Sequence, residues 1–280
     1  MLLLLLIAAV AQCISLHKYK QIAHDLYHMG SHPHPRDPKK RVDGYAMIHC
    51  HRKAFCGTVE HSTSASVHFR RNASSPAHRK RQALPQCAGP IADGAAWKTP
   101  SGYYINARNS QQLSVRFLTA AIEEAFDAWG CALRKTKRFV IGPLLGVRQD
   151  LSGHDIYIDA PDGDNVIGLG TVEGKHGTIA ITIVWGSFGG PLKDREIVEF
   201  KMILDETHHR FGNASVTRGV FDLGSTVTHE GGHAHGLRDI YTSACSHVTM
   251  FSSSVENDIK KRTLAVDDIA GIQNLYFDED

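Results

Sequence analysis

No stretch of the 280 residues is long and apolar enough to cross a bilayer, which takes roughly 20 residues; the run from Leu2 to Ala11 falls well short. With 25 Gly and 10 Pro the chain cannot carry a collagen repeat. Its 42% apolar and 21% charged residues exclude a chain that is wholly disordered or wholly coiled coil. Net charge is nearly absent: 31 Lys and Arg stand against 29 Asp and Glu, a formal +2 that argues against nucleic acid as a partner. Cysteine is scarce, at six, and no internal repeat is present.

The mean charge conceals an uneven chain. Residues 17–81 hold 13 Lys and Arg against 4 Asp and Glu, a net +9, and ten of the 18 His precede residue 82. Residues 82–280 hold 18 against 25, a net −7. A boundary is therefore expected near residue 81. The opening MLLLLLIAAVAQCIS, with its short apolar core and Ala9-Val10-Ala11, has the form of a secretory signal over residues 1–15. Residues 16–81 then read as a basic, His-rich propeptide, extended or loop-like through HPHPRDPKKR. It ends in His78-Arg79-Lys80-Arg81, a run of the type cut by kexin- or furin-like proteases; Lys39-Lys40-Arg41 is a second such run. Secretion implies an oxidising compartment and disulfides. Cys50 and Cys56 can pair locally, and the odd number of Cys beyond the signal leaves one thiol over. Asn72-Ala-Ser and Asn213-Ala-Ser are sequons that fit secretion.

From residue 97 the pattern is that of a folded domain. Strands are expected at Tyr103–Asn106, Phe139–Ile141, Asp155–Ile158, Thr178–Trp185 and Phe200–Leu204. Helical spacing marks Ser114–Leu133, Asp222–His235 and Thr263–Tyr276. About five strands and three helices give a mixed α/β fold.

The most informative stretch is Thr228-His229-Glu230-Gly231-Gly232-His233-Ala234-His235-Gly236-Leu237-Arg238-Asp239. His229 and His233, four apart, share one helix face and can bind one Zn²⁺. Glu230 sits where it can take a proton from a water at the metal's open position. Gly236 permits a sharp turn that would return Asp239 as the third ligand. His235, two residues past His233, points away from that face. A chance H-E-x-x-H is expected roughly 4% of the time; adding Gly at +7 and Asp or His at +10 lowers this to roughly 0.05%.

HEGGHAHGLRD resembles the extended zinc motif of metzincin metallopeptidases, H-E-x-x-H-x-x-G-x-x-H/D. AAIEEAFDAWG at 120–130, YYINARN at 103–109 and LAVDDIAGIQNLY at 264–276 resemble pieces of the matrixin branch. The resemblance covers roughly residues 97–277. It implies a twisted mixed sheet with an active-site helix followed by a Met-turn, which would be Met250. Asp239 stands where matrixins usually have His, and His247 is a substitute third ligand. His154, Asp155 and His176 could be remnants of a second zinc site, and Asp159, Asp162 and Asp164 form either a solvated acidic turn or a structural Ca²⁺ site. Cys87, in PQCAGPIAD, loosely resembles the family's cysteine switch; the alternative is a disulfide to Cys131 or Cys245.

The expectation is a secreted, monomeric zinc endopeptidase made as a zymogen, with residues 82–280 as catalytic domain and protein or peptide substrates. Zn²⁺ would be held by His229, His233 and Asp239, with Glu230 as general base. Substrate would lie along an edge strand, for which residues 178–185 are the candidate. The competing class is a non-catalytic secreted metal-binding protein that works through the His-rich N-terminal segment.

Overall fold

The computed structural model describes residues 13–23, 25–51, 86–134, 141–148, 156, 158–173 and 177–276. The signal core, Cys56, Asn72, the basic run at 79–81, Phe139, Val140, His154, Asp155 and His176 lie outside them.

Five strands form the centre of the sheet: β6 (Ser101–Asn106), β7 (Ile141–Arg148), β8 (Val166–Glu173), β9 (Thr178–Ser187) and β10 (Glu196–Asp205). Their order is β7-β6-β8-β10-β9, parallel throughout except for the antiparallel β10–β9 pair. This is the expected mixed sheet. Three helices cover one face: α1 (Val115–Leu133), α2 (Leu223–Ala234) and α3 (Val266–Tyr276). Helix α1 begins where the Ser114 hydroxyl accepts from the Phe117 amide, 3.2 Å away. Its Leu118, Ile122, Ala125, Phe126, Trp129 and Leu133 recur every three or four residues and are all buried.

Strand β8 was not expected. Its VIGLGTVE carries two glycines, which dilute the strand signal. Gly168 is needed there, since a Cβ would lie 2.8 Å from the Ile156 side chain. Ile156 and Ile158, expected in a strand, are buried outside any strand.

The sheet continues past β9, which corrects the expected count. Cys13–Ser15, expected as the end of the signal, form β1, and residues expected as an extended or loop-like leader form β2 (Lys20–Ala23), β3 (Leu26–His34) and β4 (Asp37–His51). Strand β1 pairs with β8, while β2-β3-β4 is an antiparallel meander joined to the free side of β9. Short β5 (Ala96–Trp97) and β13 (Ser253–Ser254) bring the sheet to eleven strands among the described residues, and β11 (Phe211–Gly212) pairs with β12 (Phe221–Asp222) separately. Strand β4 hid from a period-two search because Gly44–Cys50 is buried on both sides. Its Tyr45 and Met47 join the core under the helices; Ala46, Ile48 and Cys50 join a second core with Ile181, Ile183 and Trp185 of β9. Residues 178–185, the candidate edge strand, are therefore interior in the full chain.

Candidate metal centre

Helix α2 starts and stops as its residues dictate. The Asp222 carboxylate caps it, accepting from the Ser225 amide at 2.8 Å. The chain turns out at Gly236, whose φ is +101° and where a Cβ would sit 2.8 Å from the Ala95 carbonyl. Trp97 Nε1 donates to the Ala234 carbonyl and the Tyr276 hydroxyl to that of His235, closing the helix end. The glycines inside HEGGH allow close packing. A Cβ on Gly232 would lie 2.2 Å from Met250 Sδ and 2.8 Å from the Trp129 ring. Gly232→Ala is expected to cost about 1–3 kcal/mol through this overpacking, read as a lowered denaturation midpoint; an unchanged midpoint would mean that the contact is slack.

Asp222 also accepts from Arg262 Nε at 2.7 Å and from the Ala214 amide at 3.0 Å. Burial pushes its carboxyl up, but the hydrogen bonds from Arg262, Ser225 and Ala214 outweigh that and hold it below the usual range. A depressed folded pKa contributes stability that is full above the unfolded value and lost as pH falls through the folded one. Asp222→Ala should cost about 2–4 kcal/mol near neutrality. The gap between variant and wild type in thermal unfolding should narrow below about pH 4. A gap constant down to pH 2 would assign the loss to packing instead.

His229, His233 and Asp239 come together at the end of this helix. Each offers one ligand atom, and the three atoms lie within 4.8 Å of one another. Asp239 Oδ1 is 3.2 Å from His229 Nε2, and Oδ2 is 3.4 Å from His233 Nε2. All three side chains are buried. Both imidazoles donate Nδ1–H to a backbone carbonyl, His229 to Thr249 at 2.8 Å and His233 to Leu237 at 2.9 Å. That fixes the tautomer and leaves each Nε2 lone pair directed at the cluster. Nε2 of both histidines and Oδ1 of Asp239 are buried without a hydrogen-bond partner. Buried polar atoms left in this way imply an unseen partner, and two imidazoles with a carboxylate suit Zn²⁺. The residues fit that ion. Without metal, burial and Lys261 hold His229 down to about 3. Burial also lowers His233, but the Asp239 carboxylate prevails and raises it to about 9.

Glu230 faces the same cluster and is fully buried. Its Oε2 accepts from Thr182 Oγ1 of β9 at 2.5 Å, while Oε1 has no hydrogen-bond partner. Burial pushes its pKa up to about 7 against the pull of His233 and Thr182. Met250 lies beneath the helix at the Gly232 contact. Its turn is held by Asp268 of α3, whose carboxylate accepts from the Thr249 and Met250 amides at 2.7 and 3.2 Å. Asp268 thus positions the carbonyl that orients His229. Lys261, also buried, donates to the Phe251 carbonyl and lies 3.3 Å from His229 Nδ1. Thr182, Asp268 and Lys261 were missed from sequence. Asp268, in the first turn of a helix after an apolar start, carried a capping signal; the other two carried none.

Other expectations resolve around this centre. His235 turns away, donating to the Gly231 carbonyl and packing near Phe126 and Trp129. His247, the expected substitute ligand, is exposed, lies 3.5 Å from Asp267 and falls outside the His229–His233–Asp239 group. Cys87 is bonded to Cys245, so it is no thiol switch, and among the described residues Cys131 is a free thiol. Asp159, Asp162 and Asp164 each face a protein cation, Lys18, Lys201 and Arg148 respectively, and the Ca²⁺ expectation goes no further.

A mixed sheet carrying one helix with two inward imidazoles, backed by a methionine turn, places the chain among the metallopeptidases. The matrixin family model matches residues 96–277, and the chain belongs to that family of zinc metalloendopeptidases. No curated protein matches it. Among the described residues no helix is long and apolar enough to cross a membrane.

Proposed function

We propose that this chain is a secreted zinc endopeptidase made as a zymogen, with His229, His233 and Asp239 as metal ligands and Glu230 as general base. The observation that carries this is the convergence of orphaned buried donor atoms on three residues, beside the unpartnered Oε1 of Glu230. Zn²⁺ held there would supply Lewis acidity to a bound water and to the scissile carbonyl. Glu230 takes the water's proton on Oε1, while Thr182 holds Oε2. It then delivers that proton to the leaving amine. Asp268, through the Thr249 backbone, keeps His229 in its ligating tautomer. Substrate lies extended along β9, which becomes an edge once β4 has left.

Residues 1–15 are the signal, residues 16–81 the propeptide removed after Arg81 by a kexin- or furin-type protease, and residues 82–280 the catalytic domain. Casein digestion by processed protein, with and without a zinc chelator, tests the activity: digestion should stop with chelator and return with zinc. N-terminal sequencing of secreted material tests the processing. A mature N-terminus upstream of residue 60 would contradict cleavage at Arg81.

A further inference from the structure

We propose that in the uncleaved chain β4 lies in the substrate channel and His49 ligates the metal on its open side, closing the centre until the N-terminal segment departs. The proposal rests on the zinc reading above.

Three observations carry it. The first is the course of the strand. β4 runs antiparallel to β9 from Asp43, opposite Gly186, to Cys50, opposite Thr178. Its other neighbour, β3, is last paired at Met47, and β13 takes over in parallel, with Cys50 opposite Ser253 and His51 opposite Ser254. Residues 49–51 thus run between β9, which supports Glu230 through Thr182, and the segment just past Met250. An extended chain paired on both sides there occupies the place where a peptide substrate must bind.

The second is the direction of the side chain. Residues two apart along a strand share a face. Tyr45 and Met47 belong to the core beneath the helices, and His49 follows on that face. Its ring centroid lies 3.9 Å from that of His229. His49, His229 and Glu230 each offer an atom, and the three atoms lie within 4.8 Å of one another.

The third is an unpartnered atom. His49 is 0% exposed, Nε2 lies 2.8 Å from Ser254 Oγ, and Nδ1 has no hydrogen-bond partner. A ring whose second nitrogen is buried and unpaired is satisfied by a metal. The Cys87 thiol, closed in its disulfide with Cys245, cannot do this.

Cleavage alone does not open the site on this account. The cysteines after residue 81 are the Cys87–Cys245 pair and free Cys131, so the disulfide of Cys50 stays within the N-terminal part. After a cut at Arg81 that part is held without a described disulfide to the rest, by β-pairing, both cores, His49 and bonds such as Lys18–Asp159 and Tyr241–Asp25, and must dissociate or be cut again.

The test is zinc X-ray absorption on the uncleaved chain, wild type against His49→Gln, with His229→Ala as the metal-loss control. Three imidazoles are expected around zinc in wild type and two in His49→Gln. After cleavage at Arg81, the N-terminal part carrying His49→Gln should dissociate about 10–100-fold more readily than the wild-type part, the span covered by loss of one supporting contact at a metal centre. If His49→Gln misfolds, residues 37–51 added as a synthetic peptide to the processed enzyme should inhibit competitively, and the peptide with Gln at 49 should inhibit at least about tenfold less. Two imidazoles in both proteins, with zinc lost in His229→Ala, would overturn this proposal and leave the zinc reading standing. No zinc bound by wild type would overturn both.

Discussion

Glu230→Gln in the processed protein should keep its zinc and lose about 10²–10⁴-fold in kcat, the usual contribution of general acid–base catalysis. Glutamine matches glutamate in size and its amide oxygen can still accept from Thr182, so the packing at a fully buried position is preserved. What disappears is the acceptor for the water's proton. Zinc content measured on the same sample separates loss of base from loss of metal. A variant that digests casein at the wild-type rate would show that Glu230 is not the base. A variant that loses both zinc and activity would assign Glu230 a role in binding the ion.

His229→Ala should remove both activity and metal. Zinc should fall from about one per chain toward zero, because His233 and Asp239 alone offer two of the three protein ligands a catalytic zinc needs. The denaturation midpoint measured with excess zinc should fall as well, since a ligand that binds only the folded chain stabilises it. His247→Ala is the control; that side chain is exposed beside Asp267 and should leave zinc content unchanged. Unchanged zinc in His229→Ala would move the metal elsewhere and favour the His-rich N-terminal segment as the working part.

How much of this was legible in sequence depended on whether the signal was local. Helix α2 was, because its capping Asp222, its i,i+4 histidines and its terminating Gly236 all lie within fifteen residues. Helix α1 was legible from its apolar spacing and the Ser114 cap. Strand β8 was not, because Gly168 and Gly170 dilute its strand pattern, and the packing reason for Gly168 is revealed only by the neighbouring Ile156. The meander β2–β4 was obscured differently. Its His, Pro and Lys residues read as a solvated leader, and β4 acquires its two-sided burial only from β9 and β3. Lys261 stands in a Lys-Lys-Arg run that looks like exposed surface, and its burial beside His229 is a product of the tertiary fold. The Cys87 partner was open in the same sense: 158 residues separate it from Cys245.

One zinc at His229, His233 and Asp239 is expected to carry the hydrolysis. This is tested most directly by titrating zinc back into chelated, processed protein while following casein digestion. Activity should rise linearly and level off at about one zinc per chain. Digestion by the fully chelated protein, or none at any zinc level from a folded sample, would show that this zinc does not carry the hydrolysis.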